Sequence, residues 1–176
     1  FLKSLIGSIP VDNQSLKYQL ENGKLLDSSE LEKISHQISY IGQETSLFQL
    51  SLKENISLQN SITDSEFHAL CKQVGLEKWS DQSTEFDSIL STASGGEKRR
   101  IDLARLLFFD REILLFDEPT AGLDSQNRLK VEEVVKQLEN KLIVYSTHQY
   151  NEEFMQQFDY CLEIQDGSIV MREIKA

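Results

Sequence analysis

The sequence predicts an α/β protein built on a parallel sheet, and three observations carry that prediction. Ile113–Phe116 is a fully apolar run of strand length, and Leu142–Tyr145, in a second strand Leu142–Ser146, is another. Strands buried on both faces read this way. Between them, Gln126–Leu138 sets Leu129, Val131, Val134, Val135 and Leu138 at helical spacing. Apolar strands alternating with helices imply a parallel sheet covered on both faces.

The remaining elements follow along the chain. Residues 1–9 read as the tail of an amphipathic helix that Pro10 breaks. Leu16–Leu20 and Lys24–Leu26 flank Asn22-Gly23, a dipeptide that favours a tight hairpin turn. Ser29–Ser35 is a short helix before a strand at Ile38–Ile41. Residues 51–92 change character and read as a mostly helical insertion. Thr63–Val74 opens with a capping box, Thr63 and Glu66, and carries Phe67, Leu70 and Val74 on one side. Glu77–Ser88 reads as a polar stretch. Ser94 starts the next helix, with Ile101, Leu103, Ala104, Leu106 and Leu107 as apolar positions. Near the C-terminus, Tyr160–Ile164 and Ile169–Ile174 surround Asp166-Gly167, another hairpin signal.

Composition narrows the function classes. The chain has 176 residues, 39% hydrophobic and 27% charged, as expected for one globular domain. Its longest apolar runs are far too short to cross a bilayer. The formal net charge of −11 argues against a broad nucleic-acid face. The one dense basic cluster, Lys98-Arg99-Arg100, fits a solvated helix face. Cys71 and Cys161 lie far apart without metal-ligand spacing and read as two reduced thiols.

Four places carry candidate chemistry. The strand Ile113–Phe116 ends in Asp117-Glu118. In a phosphate-handling α/β protein the first acid at such a strand end can hold Mg²⁺, and the second can polarise an attacking water. The alternative is a strand followed by a polar turn at Pro119. Ala93–Glu97 is a Ser-Gly-Gly turn feeding a helix, where exposed amides and a hydroxyl could meet phosphate oxygens. The alternative is a plain helix cap at Ser94. His148 follows a strand at the edge where ligands of parallel sheets bind, though a lone histidine is more often structural. Gln43, just past Ile38–Gly42, could reach Mg²⁺ or the attacking water; alone it says almost nothing.

Taken in order, Gln43, Ser94-Gly95-Gly96-Glu97, Asp117-Glu118, Ala121-Gly122-Leu123-Asp124 and His148 resemble the ABC ATPase family. Gln43 matches the Q-loop, Ala93–Glu97 the signature motif, Ile113–Glu118 the Walker B strand with its catalytic glutamate, Ala121–Asp124 the D-loop and His148 the switch histidine. The resemblance implies a P-loop NTPase-like parallel sheet core. Residues 1–50 and 110–176 would form the RecA-like part, and 51–109 a helical subdomain ending in the signature helix. It implies ATP and Mg²⁺ as ligands, with Asp117 and Gln43 near the metal. Glu118, His148 and Gln43 would be catalytic, and Ser94, Gly95, Gly96, Glu97 and Asp124 would face nucleotide. It further implies a second ABC ATPase domain docked head to tail, a transmembrane permease domain, no nucleic acid, and a place at the cytoplasmic face of the cell membrane.

The sequence also departs from the family. No G-x-x-x-x-G-K-[ST] loop is present, and Lys3-Ser4 has no glycine before it. Phe1–Gly7 looks like the helix that follows that loop. The N-terminal strands and the adenine-stacking aromatic are therefore expected to be missing, the chain is expected to be a fragment, and weak ATP binding by the chain alone is expected. Ala93 stands where leucine is usual and Glu97 where glutamine is commoner. Gln43–Phe48 followed by Leu52–Ile56 resembles exporter-type domains, although Phe86–Ala93 is shorter than exporters usually have and Pro119–Gly122 departs from their commoner wording; paired with Ser94–Glu97 and Glu118–Asp124 it resembles heterodimeric bacterial half-exporters. A soluble ABC ATPase acting on nucleic acid or ribosomes, and a non-catalytic or trans-acting regulatory module, are the alternatives.

Overall fold

The computed structural model describes residues 2–9, 17–19, 23–27, 30, 32–80, 92–149, 151–166 and 168–174. The chain forms two compact units, residues 1–146 and 147–176.

The first unit is organised by a three-stranded parallel sheet of β3 (Ile38–Ile41), β4 (Ile113–Asp117) and β5 (Leu142–Ser146), in that spatial order. The register runs from Ile38 opposite Ile113 to Ile41 opposite Phe116, and from Ile113 opposite Leu142 to Asp117 opposite Ser146. Being central, β4 buries Leu114, Leu115 and Phe116 almost completely. Because all three strands run the same way, their C-terminal ends share one edge of the sheet. Gly42-Gln43, Asp117-Glu118 and Ser146 all lie at that edge.

Before this sheet come α1 (Leu2–Leu5), the antiparallel pair β1 (Lys17–Gln19) and β2 (Leu25–Asp27), and α2 (Glu32–Ser35). The helix expected over residues 1–9 is only one turn, and the chain passes through Gly7 at φ 73°. The expected hairpin is present, with Gly23 at φ 79°, a conformation glycine adopts without steric cost; Pro10 and Asn22 lie outside the described residues.

Between β3 and β4 the described residues form the helices α3 (Leu52–Ser57), α4 (Asp64–Gln73), α5 (Glu77–Ser80) and α6 (Gly95–Phe109). Three begin with a full capping box, Ser51 with Glu54, Thr63 with Glu66, and Ser94 with Glu97. Each cap stabilises its helix by about 1 kcal/mol. The polar reading of Glu77–Ser88 is corrected at its start. Glu77–Ser80 is a helical turn that buries Trp79, and residues 81–91 lie outside the described set. Helix α6 buries Ile101, Leu103, Ala104 and Leu106 and packs on α3, α4 and β3. It ends at Asp110, whose φ of 45° closes the helix in the left-handed region.

Helix α7 (Ser125–Lys136) connects β4 to β5. Its buried stripe is Val131, Val134 and Val135, whereas Leu129, expected in the core, is 53% exposed. At a rotation of about 100° per residue, Leu129 falls off the stripe that the three valines define. The second unit holds α8 (Glu152–Met155) and the hairpin of β6 (Tyr160–Gln165) with β7 (Ser168–Glu173), turning at Asp166 with φ 48°.

Candidate functional site

At the C-terminal edge of the sheet, β4 delivers Asp117 and the chain then turns sharply. Glu118 adopts φ 50°, a left-handed conformation that is uncommon for a side-chain-bearing residue and clusters at functional sites. Its backbone N–H donates to Ser146 O at 3.2 Å and Ser146 Oγ at 3.1 Å. The neighbouring strand therefore holds the turn.

The Asp117 carboxylate accepts from two hydroxyls. Tyr40 donates to Oδ2 at 2.8 Å and Ser146 to Oδ1 at 3.1 Å. Burial, the hydrogen bond and the Asp117 charge push the Tyr40 hydroxyl up to about 12, so it remains a donor at neutral pH. The sequence reading missed Tyr40, which lies 77 positions from its partner. No group of three or more His, Cys, Asp and Glu converges as a metal cage among the described residues. The oxygen donors at this edge, Asp117 and the Gln43 amide, suit a hard cation that keeps most of its waters, as Mg²⁺ does.

Gln43 is exposed, but its backbone is anchored. Arg99, on α6, donates through Nη1 to Gly42 O and through Nη2 to Gln43 O. Arg99 pairs with Asp102 at 3.4 Å, and Asp102 pairs with Arg105 at 2.9 Å. Thr45 Oγ1 donates to Asp102, and Arg105 reaches Asn55 O at 2.7 Å and Asn55 Oδ1 at 3.0 Å. Asn55 in turn gathers the carbonyls of Phe48, Leu50 and Ser51. Burial leaves the Asp102 carboxyl raised, although Thr45, Arg105 and Arg99 oppose the shift. One polar network thus ties residues 42–55 to the helix that starts at Ser94. The sequence holds a trace of it in the alternating charges of Arg99, Asp102 and Arg105 at three-residue spacing.

The solvated reading of Lys98-Arg99-Arg100 is corrected here. Arg99 and Arg100 are 4% and 5% exposed. Arg99 serves Gly42 and Gln43, and Arg100 donates to Asn127 Oδ1. Only Lys98 fits the expectation in part, being half-buried.

The start of α6 is built tightly. Ser94 Oγ accepts from Glu97 N at 3.2 Å and donates to Glu97 Oε2 at 2.9 Å, while Ser94 N donates to the same oxygen at 2.7 Å. Glu97 is 6% exposed and also accepts from Trp79 Nε1 at 3.2 Å and from Lys78. Burial pushes its carboxyl up, but the donors Lys78, Ser94 and Trp79 outweigh that and hold it at about 2. The two glycines differ. A Cβ on Gly96 would lie 2.5 Å from Asn127 Cγ, so helix α7 packs directly on it. Among the described residues, a Cβ on Gly95 would meet nothing within 4 Å. Asp124 caps α7 through Asn127 N at 3.0 Å and holds the Asn127 amide at 2.6 Å. These bonds lower the Asp124 carboxyl. Asn127 consequently joins Asp124 to Arg100 and Gly96. His148 lies in the second unit and is exposed.

Among known proteins, the sequence model of the ABC transporter family matches residues 1–121. The glutathione/L-cysteine transport system ATP-binding/permease protein CydC of Haemophilus influenzae is 32% identical over 147 residues, 79% of this chain and 25% of that protein. A putative export ATP-binding/permease protein of Rickettsia conorii is 29% identical over 97% of this chain and 29% of its own length. The chain therefore spans about a quarter of the length of these two relatives. Among solved structures, the ATP-binding cassette MJ0796, in a dimeric post-hydrolysis state bound to ADP and Pi, aligns with a TM-score of 0.69 at 21% identity. It covers 91% of this chain and 74% of that one. A bacterial Atm1-family ABC exporter with ATP bound aligns with a TM-score of 0.66 at 21% identity, covering 84% and 28%. These likenesses show the fold: a P-loop NTPase-like parallel sheet with helices, as the sequence predicts.

Proposed function

The chain belongs to the ABC transporter family, and on that premise we propose that it is the ATP-hydrolysing domain of an exporter-type transport system. The observation that carries this reading is the pair Asp117-Glu118 at the end of the central strand, with Glu118 fixed in a left-handed turn by Ser146. Strand ends of this kind in parallel sheets are where phosphate ligands bind.

Asp117 and Gln43 would hold Mg²⁺, which supplies positive charge to the β- and γ-phosphates. Glu118 accepts a proton from the attacking water as its oxygen bonds to the γ-phosphorus and the bond to the β–γ bridging oxygen breaks, releasing ADP. His148 would donate to a γ-phosphate oxygen. Ser94, Gly95 and Gly96, with Glu97 bracing them, offer a helix N-terminus to the ATP of a partner domain docked head to tail, and Asp124 would face the same contact. The open space over Gly95 supports an approach from outside the chain.

Among the described residues no helix is long and apolar enough to cross a membrane. A permease domain, as in the ATP-binding/permease relatives, would attach the chain to the membrane. The 176 residues contain no G-x-x-x-x-G-K-[ST] loop, and by themselves they hold ATP weakly for want of its amides and lysine. Calorimetry with Mg-ATP on the 176-residue chain and on the intact gene product tests this. Saturable binding confined to the intact product is expected, and absence of binding by both would overturn the ATPase reading.

A further inference from the structure

Glu97 places a full negative charge in the first turn of the helix whose N-terminus the proposed function offers to a phosphate. A charge there competes with an anionic ligand for the same amides and the same hydroxyl. The Ser94 hydroxyl already gives its proton to Glu97 Oε2, so it faces any incoming phosphate as an acceptor.

The other oxygen of Glu97 is managed from a different helix. Lys78, on α5, pairs with Oε1, and Trp79 donates to the same oxygen from Nε1 at 3.2 Å. The Lys78 ammonium also lies over the Trp79 ring, 4.7 Å from its centroid. Trp79 is buried and fixes the platform, whereas the Lys78 side chain is 65% exposed and the Glu97 side chain 8%. A cation reaching from the surface onto a buried carboxylate beside a helix N-terminus has a net electrostatic effect. It cancels the charge that would repel a phosphate, and it draws the carboxylate away from sole dependence on Ser94.

We propose that Lys78 is a positioning residue that neutralises Glu97, so that the helix start at Gly95 and Gly96 can receive the terminal phosphate of an ATP held by a partner domain. This rests on the ATPase reading above and assigns a role to a residue outside the five motifs.

The test is steady-state ATP hydrolysis by the intact gene product carrying Lys78→Met, Lys78→Gln, Lys78→Arg, Glu97→Gln and the double variant Lys78→Met/Glu97→Gln. An uncompensated charge several ångströms from a phosphate raises KM for Mg-ATP by about tenfold in Lys78→Met and Lys78→Gln, with a smaller change in kcat. Lys78→Arg keeps the charge and stays within about twofold of the wild type. The decisive comparison is made without Glu97: the double variant differs from Glu97→Gln by less than about twofold, because the charge to be cancelled is gone. A purely structural Lys78 would give the same defect in both backgrounds, and that result overturns the proposal, as does a KM change below about twofold in both single variants. Two neutral replacements are measured so that a folding defect in one does not decide the outcome. A wild type that hydrolyses ATP without this pattern removes the role of Lys78 alone. A wild type that hydrolyses no ATP removes the ATPase reading and the role of Lys78 with it.

Discussion

Replacing Arg99 by methionine keeps much of the side-chain length while removing the charge and every donor. Arg99 is 4% exposed and makes two hydrogen bonds to the carbonyls of Gly42 and Gln43, besides its ion pair with Asp102. A charge-assisted hydrogen bond contributes about 1.5–3 kcal/mol. Two of them set the loss at about 3 kcal/mol or more, and breaking a buried ion pair one-sidedly costs about 3–5 kcal/mol. Asp102 keeps Arg105 and Thr45 as partners, and the buried guanidinium no longer has to be desolvated, so the lower figure is the better one. A loss of about 3 kcal/mol lowers the folded-to-unfolded ratio by roughly 150-fold. Urea unfolding followed by the fluorescence of Trp79, the single tryptophan, measures it directly. Hydrogen exchange adds the location: protection falls across residues 42–48 more than across α4. A loss below about 1 kcal/mol, or equal deprotection of both segments, would refute the reasoning that Arg99 anchors the Gln43 loop.

Three further outcomes follow from the same geometry. Gly96→Ala pushes the Asn127 side chain aside, cutting its bonds to Asp124 and Arg100, and costs about 1–3 kcal/mol in urea unfolding; an unchanged midpoint would contradict the close approach. Gly95→Ala enters open space, leaves stability level or raises it by about 0.5–1 kcal/mol as a helical alanine, yet lowers ATP turnover where a phosphate must approach; undiminished turnover contradicts that approach. Glu97 is held at about 2 in the folded chain, below its unfolded value of about 4.3. Its contribution is therefore fully present above that unfolded value and lost as pH falls toward 2. Between pH 5 and pH 3 the wild type should lose more stability than Glu97→Gln, and parallel curves would contradict the assignment.

The regular elements were legible because their signals are local. Thr63 with Glu66, and Ser94 with Glu97, sit three residues apart and each forms the capping box their spacing announces. The strands at 113–117 and 142–146 announce themselves by apolar runs. Helix α5 escaped notice because four residues are too few to show a period, so Trp79 gave no hint of burial. The site was half legible. Asp117, Glu118, Gln43 and Ser94 are visible as motif positions, but what holds them is not. Tyr40 finds Asp117, Arg99 finds Gly42, and Arg100 finds Asn127, all across long stretches of chain. A basic triplet on a helix reads as a solvated face unless its distant acceptors are known. Here those acceptors turn two of the three residues into the fold's interior struts.

ATP hydrolysis by the intact gene product with Glu118→Gln tests the assignment most directly. If Glu118 takes the proton from water as proposed, removing its carboxylate while keeping its size lowers kcat by about 10²–10⁴-fold and leaves Mg-ATP binding in place. Turnover that survives the substitution unchanged would mean that Glu118 is not the base and that the strand-end pair is a structural turn.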